Sequence, residues 1–173
     1  MRRRLPGVGW AAMALAGLAL TGCASGPGFS GDHINTTLQP REVSQSALQA
    51  AGRHTGETVL WGGRVIQTSP GQDATTLEVV AFPLQRNQRP NERQDSSGRF
   101  LIRYAGYLEP EDYREDRLVT VTGTVEEVRE GVVGDAPYRY PVIAADQLYL
   151  WPERQSTDQQ PRVHFGVGVG IFR

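Results

Sequence analysis

Between Leu118 and Arg129 the chain alternates with a period of two. Val119, Val121, Gly123, Val125 and Glu127 fall on one side, and Thr120, Thr122, Thr124 and Glu126 fall on the other. Successive side chains of a strand point to opposite faces, so the segment reads as a half-buried strand with a polar outer face. Four more segments read as strands: 59–68, rich in β-branched and aromatic residues but broken by Gly62-Gly63; 75–84; 99–104, with Phe100 and Ile102 on one face; and 142–151, which ends at Pro152. Between the third and fourth, Leu108-Glu109-Pro110-Glu111-Asp112-Tyr113 carries an early proline and early acids, which predicts one helical turn or a short helix. A second short helix is expected over 41–51, where Val43, Ala47, Leu48 and Ala51 recur at helical spacing between Pro40 and Gly52. Three strands, a short helix and two strands is the order of a small five-stranded OB-like β-barrel, so the expected fold is mainly β with one or two short helices. Val59–Val65 also aligns without gaps on Val119–Val125, bringing Gly63 onto Gly123. Glycine inside a strand marks a bulge, a bend or a close backbone approach, all of which closing a barrel requires.

The N-terminus has a different character. Arg2-Arg3-Arg4, an apolar stretch from Val8 to Leu20, and Leu20-Thr21-Gly22-Cys23 follow one another in the order of a secretory signal peptide. The apolar stretch is shorter than the roughly 20 residues a spanning helix needs, and it contains Gly9 and Gly17. Its ending in Leu-Thr-Gly-Cys resembles the lipobox of bacterial lipoproteins. The resemblance implies cleavage before Cys23, a covalent diacyl lipid on the Cys23 thiol and acylation of the new amine. Two or more chains anchor a protein stably where one does not. The next residue is Ala24 rather than Asp, which resembles outer-membrane cargo of enteric-type bacteria.

The expected organisation is therefore a cleaved signal peptide over 1–22, a lipidated cysteine and flexible tether over 23–40, a barrel domain over 41–152, and a polar linker with a Gly-alternating strand over 153–173. Residues 24–39 are small, polar and Gly-rich, the composition of a flexible tether. In the tail, Val163, Phe165, Val167, Val169 and Ile171 alternate with His164, three glycines and Phe172. Such a ribbon can dock on the barrel edge, add to a partner's sheet, or rest in a membrane, and it is too short to form a membrane barrel alone.

Cleavage leaves 151 residues, enough for one domain with its own core. It also leaves 15 arginines against 19 carboxylates, a formal −4, which disfavours binding to nucleic acid. Cys23 is the only cysteine, so its lipidation leaves no thiol for disulfides or metal. His33, His54 and His164 have no metal-ligand spacing, there is no Gly-Lys-Ser phosphate loop, and the serines lack a nucleophile-elbow context. The acids of Glu109–Asp116 lack the central glycine of a calcium loop and read as a solvated turn. No catalytic residue, metal site or cofactor is expected beyond the lipid on Cys23. Trp61, Tyr138, Tyr140 and Trp151 form the candidate binding surface, since aromatics on an OB barrel can present a binding face. The competing reading places them in a small core with their polar atoms at its rim. Gly131–Tyr138 reads as a long Gly/Pro hairpin loop and a second candidate for contact.

Several blocks, in order, are similar to the Slp (starvation-inducible) family of Gram-negative outer-membrane lipoproteins. They are Val59-Leu60-Trp61-Gly62-Gly63-Arg64-Val65, Thr76–Leu84, Gly98-Arg99-Phe100, Gly106-Tyr107-Leu108-Glu109-Pro110, Arg117–Val125, Pro137–Val142 and Tyr149-Leu150-Trp151-Pro152. Glu115-Asp116-Arg117 departs from the family, where a glycine often precedes the Arg. The resemblance implies an outer-membrane location, facing the periplasm, and a link to starvation and stress; it supplies no catalytic activity or ligand. The function expected is a non-enzymatic, lipid-anchored domain that supports the envelope by binding a partner protein, glycan or other envelope component. The alternative is a small-ligand or oligosaccharide-binding OB module in the periplasm.

Overall fold

The computed structural model describes residues 26–50 and 52–153. Leu20, Thr21, Gly22, Cys23 and the 154–173 segment lie outside the described residues. The elements are β1 (Ile34–Asn35), α1 (Pro40–Ser46), β2 (Thr58–Pro70), β3 (Ala74–Ala81), β4 (Gly98–Ala105), β5 (Leu118–Val133) and β6 (Ala136–Leu150). The five long strands coincide with the five expected from pattern, with longer bounds except in β3, which ends at Ala81.

All strands belong to one six-stranded sheet of order β1-β2-β3-β4-β6-β5, and β2 also pairs with β5. β2, β3, β4, β6 and β5 thus form a ring of pairings. Every step in it is antiparallel except β4–β6, which is parallel from Leu101↔Val142 to Arg103↔Ala144. Register shifts at Val65/Gln67, Thr122/Gly123 and Val125/Glu127 supply the local twist that such tightly coiled strands need. The two aligned glycines sit where expected. A Cβ at Gly63 would run into the Val80 carbonyl, and one at Gly123, beside a register shift, into the Ala144 carbonyl.

The inner face is filled by alternate residues of every strand, including Val59, Val65, Leu77, Val79, Phe100, Ile102, Val119, Val121, Val125 and Ile143, all essentially buried. Burying each such side chain contributes about 1.5–3 kcal/mol. The outer face of β5 is less polar in its surroundings than the alternation implies. Thr120 and Thr122 are buried as well, because the 82–97 connection folds over this face and the Gln88 carbonyl accepts a bond from Thr120 Oγ1 at 2.7 Å.

Of the two forms expected between the third and fourth strands the shorter is found, a single turn closed by Tyr113 N–H to the Glu109 carbonyl at 3.1 Å. Three expectations need correction. The helix expected over 41–51 is present but shorter. α1 starts at Pro40, is capped by the Glu42 carboxylate on the Gln39 N–H (2.8 Å), and ends at Ser46, short of residue 51. It buries Val43 against the core, and Ser44 Oγ donates to the Arg139 carbonyl at 2.7 Å. The Gly131–Tyr138 loop is mostly strand: β5 and β6 continue to a tight turn at Gly134-Asp135, with Val133 paired to Ala136. Finally, residues 26–39 are not simply a tether. β1 pairs in parallel with β2, and Leu38 is buried.

Candidate functional site

The four aromatic candidates do not line one surface. Trp61 leaves β2 toward the core, stacks edge-on against Phe100 at 5.1 Å, and donates its indole N–H to the Leu38 carbonyl at 2.7 Å. Trp151 follows β6. Its indole donates to Thr120 Oγ1 at 2.9 Å, the Arg89 guanidinium covers its ring at 5.0 Å, and Tyr149 packs edge-on against it. Tyr138 and Tyr140 stack on each other at the β4–β6 seam. The Arg99 N–H donates to the Tyr138 hydroxyl at 2.8 Å, while the Tyr140 hydroxyl lies 3.1 Å from a Glu78 oxygen and 2.9 Å from the Val132 carbonyl. Glu78 is paired with Arg99 at 2.6 Å. Burial in the first place, then the Glu78 charge, pushes the Tyr140 hydroxyl up to about 12. In all four, the polar end of the ring is spent on holding the fold, as the core reading requires.

Two concavities of a few hundred cubic ångströms lie among the described residues. A cleft of about 280 Å³ is lined by Arg89, Arg114, Arg117, Glu92, Asp116 and Glu153. Its charges neutralise each other. Arg117 lies 3.5 Å from Glu153 and donates to the Trp151 carbonyl at 3.2 Å, Arg114 pairs with Glu153, and Arg64 lies 3.5 Å from Asp116 and 3.8 Å from Glu92. Of the acids of the 109–116 turn, Asp116 thus pairs with Arg64, and Glu111 lies 3.9 Å from Arg114, pairs worth roughly 0–1 kcal/mol each at a surface.

A groove of about 370 Å³ runs between the N-terminal segment, β2 and the 82–97 connection. Gln39, Pro40, Trp61, Phe82, Gln88 and Ser97 are among its walls. Ser97 Oγ is buried there with no hydrogen-bond partner among the described residues. A buried hydroxyl without a partner loses about 1–3 kcal/mol of solvation, so it is the groove atom best placed to receive a ligand's polar group. Sequence reasoning missed this groove, because it forms from chain stretches far apart in sequence.

Among the described residues no group of three or more His, Cys, Asp or Glu could hold a metal. His54 Nδ1 instead meets Glu57 at 2.8 Å. That bond, with help from Asn35, lowers the Glu57 carboxyl below its usual range.

A family model described as the outer membrane lipoprotein Slp family matches residues 20–169. The chain belongs to the Slp family. Three relatives span most of its length. An uncharacterized Haemophilus influenzae protein is 31% identical over 76% of this chain and 70% of the relative. The Escherichia coli outer membrane protein Slp is 30% identical over 88% and 79%, and the uncharacterized Escherichia coli lipoprotein YeaY is 29% identical over 84% and 73%. None of these names states an enzymatic activity. A Schizosaccharomyces pombe Pot1pC structure bound to single-stranded DNA covers 73% of this chain and 91% of its own, at 12% identity and a TM-score of 0.30; a likeness that distant carries no argument about fold or ligand.

Proposed function

We propose that this protein is a lipid-anchored, non-enzymatic binding domain held at the outer membrane through Cys23, facing the periplasm. It supports the cell envelope under starvation or stress by binding a partner protein or an envelope component. The observation that carries the reading is Leu20-Thr21-Gly22-Cys23 at the end of a signal-peptide pattern, in a chain of an outer-membrane lipoprotein family. The ring β2-β3-β4-β6-β5, with its single parallel step, supports reading the domain as an OB-type barrel. That architecture hosts many functions and adds none by itself. The test is intact-protein mass and membrane fractionation of wild type and Cys23→Ser, followed by crosslinking in native membranes. Wild type is expected to carry the mass of a diacylglyceryl cysteine, to sediment with outer membrane and to capture a reproducible partner. A wild-type chain without lipid, or found in the soluble fraction, refutes the anchored reading.

The buried Ser97 hydroxyl favours a second reading, a small polar ligand or oligosaccharide seated in the groove beside Trp61. A ligand that binds only the native state raises Tm by mass action. A glycan that raises the Tm of wild type but not of Ser97→Ala would support it; equal shifts in both would place the ligand elsewhere.

A further inference from the structure

The stretch that follows the lipidation motif is fastened to the body from its first described residues. The Gln88 side chain holds Phe29 by both main-chain groups: Phe29 N–H donates to Gln88 Oε1 at 2.9 Å, and Gln88 Nε2 donates to the Phe29 carbonyl at 2.6 Å. Gln88 does this from a left-handed backbone conformation, φ +66°, which costs a non-glycine residue about 1–2 kcal/mol. Three residues earlier, Gly26 passes so close to the Asn87 carbonyl that a Cβ there would collide with it. Further on, β1 joins the sheet, Asn35 Oδ1 accepts bonds from Thr37 and Leu38 N–H, and Leu38 is buried beneath the Trp61 indole.

Only three residue steps separate Cys23 from Gly26. A fully extended chain spans at most about 3.6 Å per residue, so Cys23 lies within about 11 Å of the clamp. That leash is short against the fold. β3 runs from the 82–97 end, at Ala81, to the turn at residues 71–73 beyond Ala74, and its seven steps at about 3.3 Å place the two ends roughly 23 Å apart. From the observed clamp, and resting on the anchoring reading above, we infer that the 82–97 connection is a membrane-facing surface whose partner is the phospholipid headgroup layer. The charge fits. This connection carries Arg86, Arg89 and Arg93 against Glu92 and Asp95, a net +1, in a mature chain of −4. Arg86 and Arg93 are exposed, whereas Arg89 covers Trp151. The opposite turn carries Asp73 and no arginine. Anionic headgroups attract basic side chains within a Debye length, so the charge adds to what the leash dictates.

The experiment uses the full chain, processed and lipidated, in vesicles of phosphatidylethanolamine and phosphatidylglycerol. With Cys23 consumed by lipid, Arg86→Cys and Gln72→Cys each give one site for a nitroxide. Power-saturation electron spin resonance then reads the ratio of oxygen to nickel-chelate accessibility. The expected result is a ratio several-fold higher at position 86 than at 72. Inserting a flexible Gly-Ser segment of about ten residues between Ala24 and Ser25, with r.m.s. reach of about 17 Å, is expected to bring the two positions together while circular dichroism stays unchanged. Gln88→Ala is expected to do so in part. Equal ratios in the parent protein, or a higher ratio at 72, overturn the inference; a contrast that survives the insertion supports the membrane-facing surface through its own chemistry and overturns only the leash as its cause. If the purified protein carries no lipid mass, the anchoring reading itself has failed. Lipidated protein with two equivalent labels defeats only the orientation.

Discussion

Trp61→Phe discriminates between an aromatic built into the fold and one kept for a ligand. The substitution removes the indole N–H that bonds the Leu38 carbonyl at 2.7 Å inside the protein. Leaving that carbonyl unpaired costs about 1–3 kcal/mol. The smaller ring also leaves part of a core site empty beside Phe100, which adds on the order of 1 kcal/mol. The sum is about 3 kcal/mol. For a domain of this length 1 kcal/mol moves Tm by roughly 3–4 °C, so the expected fall is about 10 °C. The assay is thermal unfolding of the full-length protein in detergent, followed by circular dichroism. Hydrogen exchange of residues 34–38 serves as a local readout, since these residues should open before the rest of the sheet. A Tm change below about 2 °C, with unchanged exchange at Leu38, would refute the argument. It would mean that the N-terminal segment gains nothing from the indole and that Trp61 is retained for something else.

Three further outcomes follow from the geometry. Tyr140 has its hydroxyl raised to about 12 by burial and Glu78, so the stability it contributes is complete below the ordinary tyrosine value near 10 and is lost as pH rises from there through 12; Tyr140→Phe should flatten the alkaline limb of a urea-midpoint against pH curve. Gly123→Ala drives a methyl into the Ala144 carbonyl beside a register shift and should cost about 1–3 kcal/mol, read as a lower urea midpoint at unchanged m-value. Arg103→Ala removes a paired but exposed partner of Glu126; it should change stability by less than about 1 kcal/mol, while the Glu126 carboxyl, now held low chiefly by Arg103, returns toward its ordinary value in an NMR titration.

The five long strands were legible because their information is local. Alternation at Leu118–Arg129 and the β-branched runs declare a strand without reference to any partner. The glycines at 63 and 123 were legible for the same reason: a residue without a side chain inside a strand points to a backbone that comes too close for one. What misled was composition. Gly131, Gly134 and Pro137 look like loop punctuation, yet only Gly134 sits at the turn with positive φ, while Gly131 pairs with Tyr138 and makes room for the Tyr140 ring. Residues 26–39 look like linker because they are small and polar, and what fastens them is distant. Phe29 is held by Gln88 and Leu38 by Trp61, and nothing inside the segment names those partners. For the aromatics the sequence left both the core and the binding-surface readings standing. Trp61 and Trp151 carry no local sign of whether an indole N–H meets a ligand or the Leu38 carbonyl and Thr120 hydroxyl.

The ring of pairings sets the order of events as the chain folds. β2 cannot complete its hydrogen bonds with neighbouring β3 alone, because its first half, from Thr58 to Arg64, pairs with β5, a stretch that follows long after it in the chain. The parallel β4–β6 step likewise waits for the last strand. Pairings between remote segments make folding slow, and until they form, β2 presents an unsatisfied edge of Val59, Leu60 and Trp61 that invites wrong partners. A chain with this topology is most vulnerable to aggregation just before its final hairpin forms. The window in which the chain risks aggregation is therefore set by strand order rather than by the stability of the finished domain.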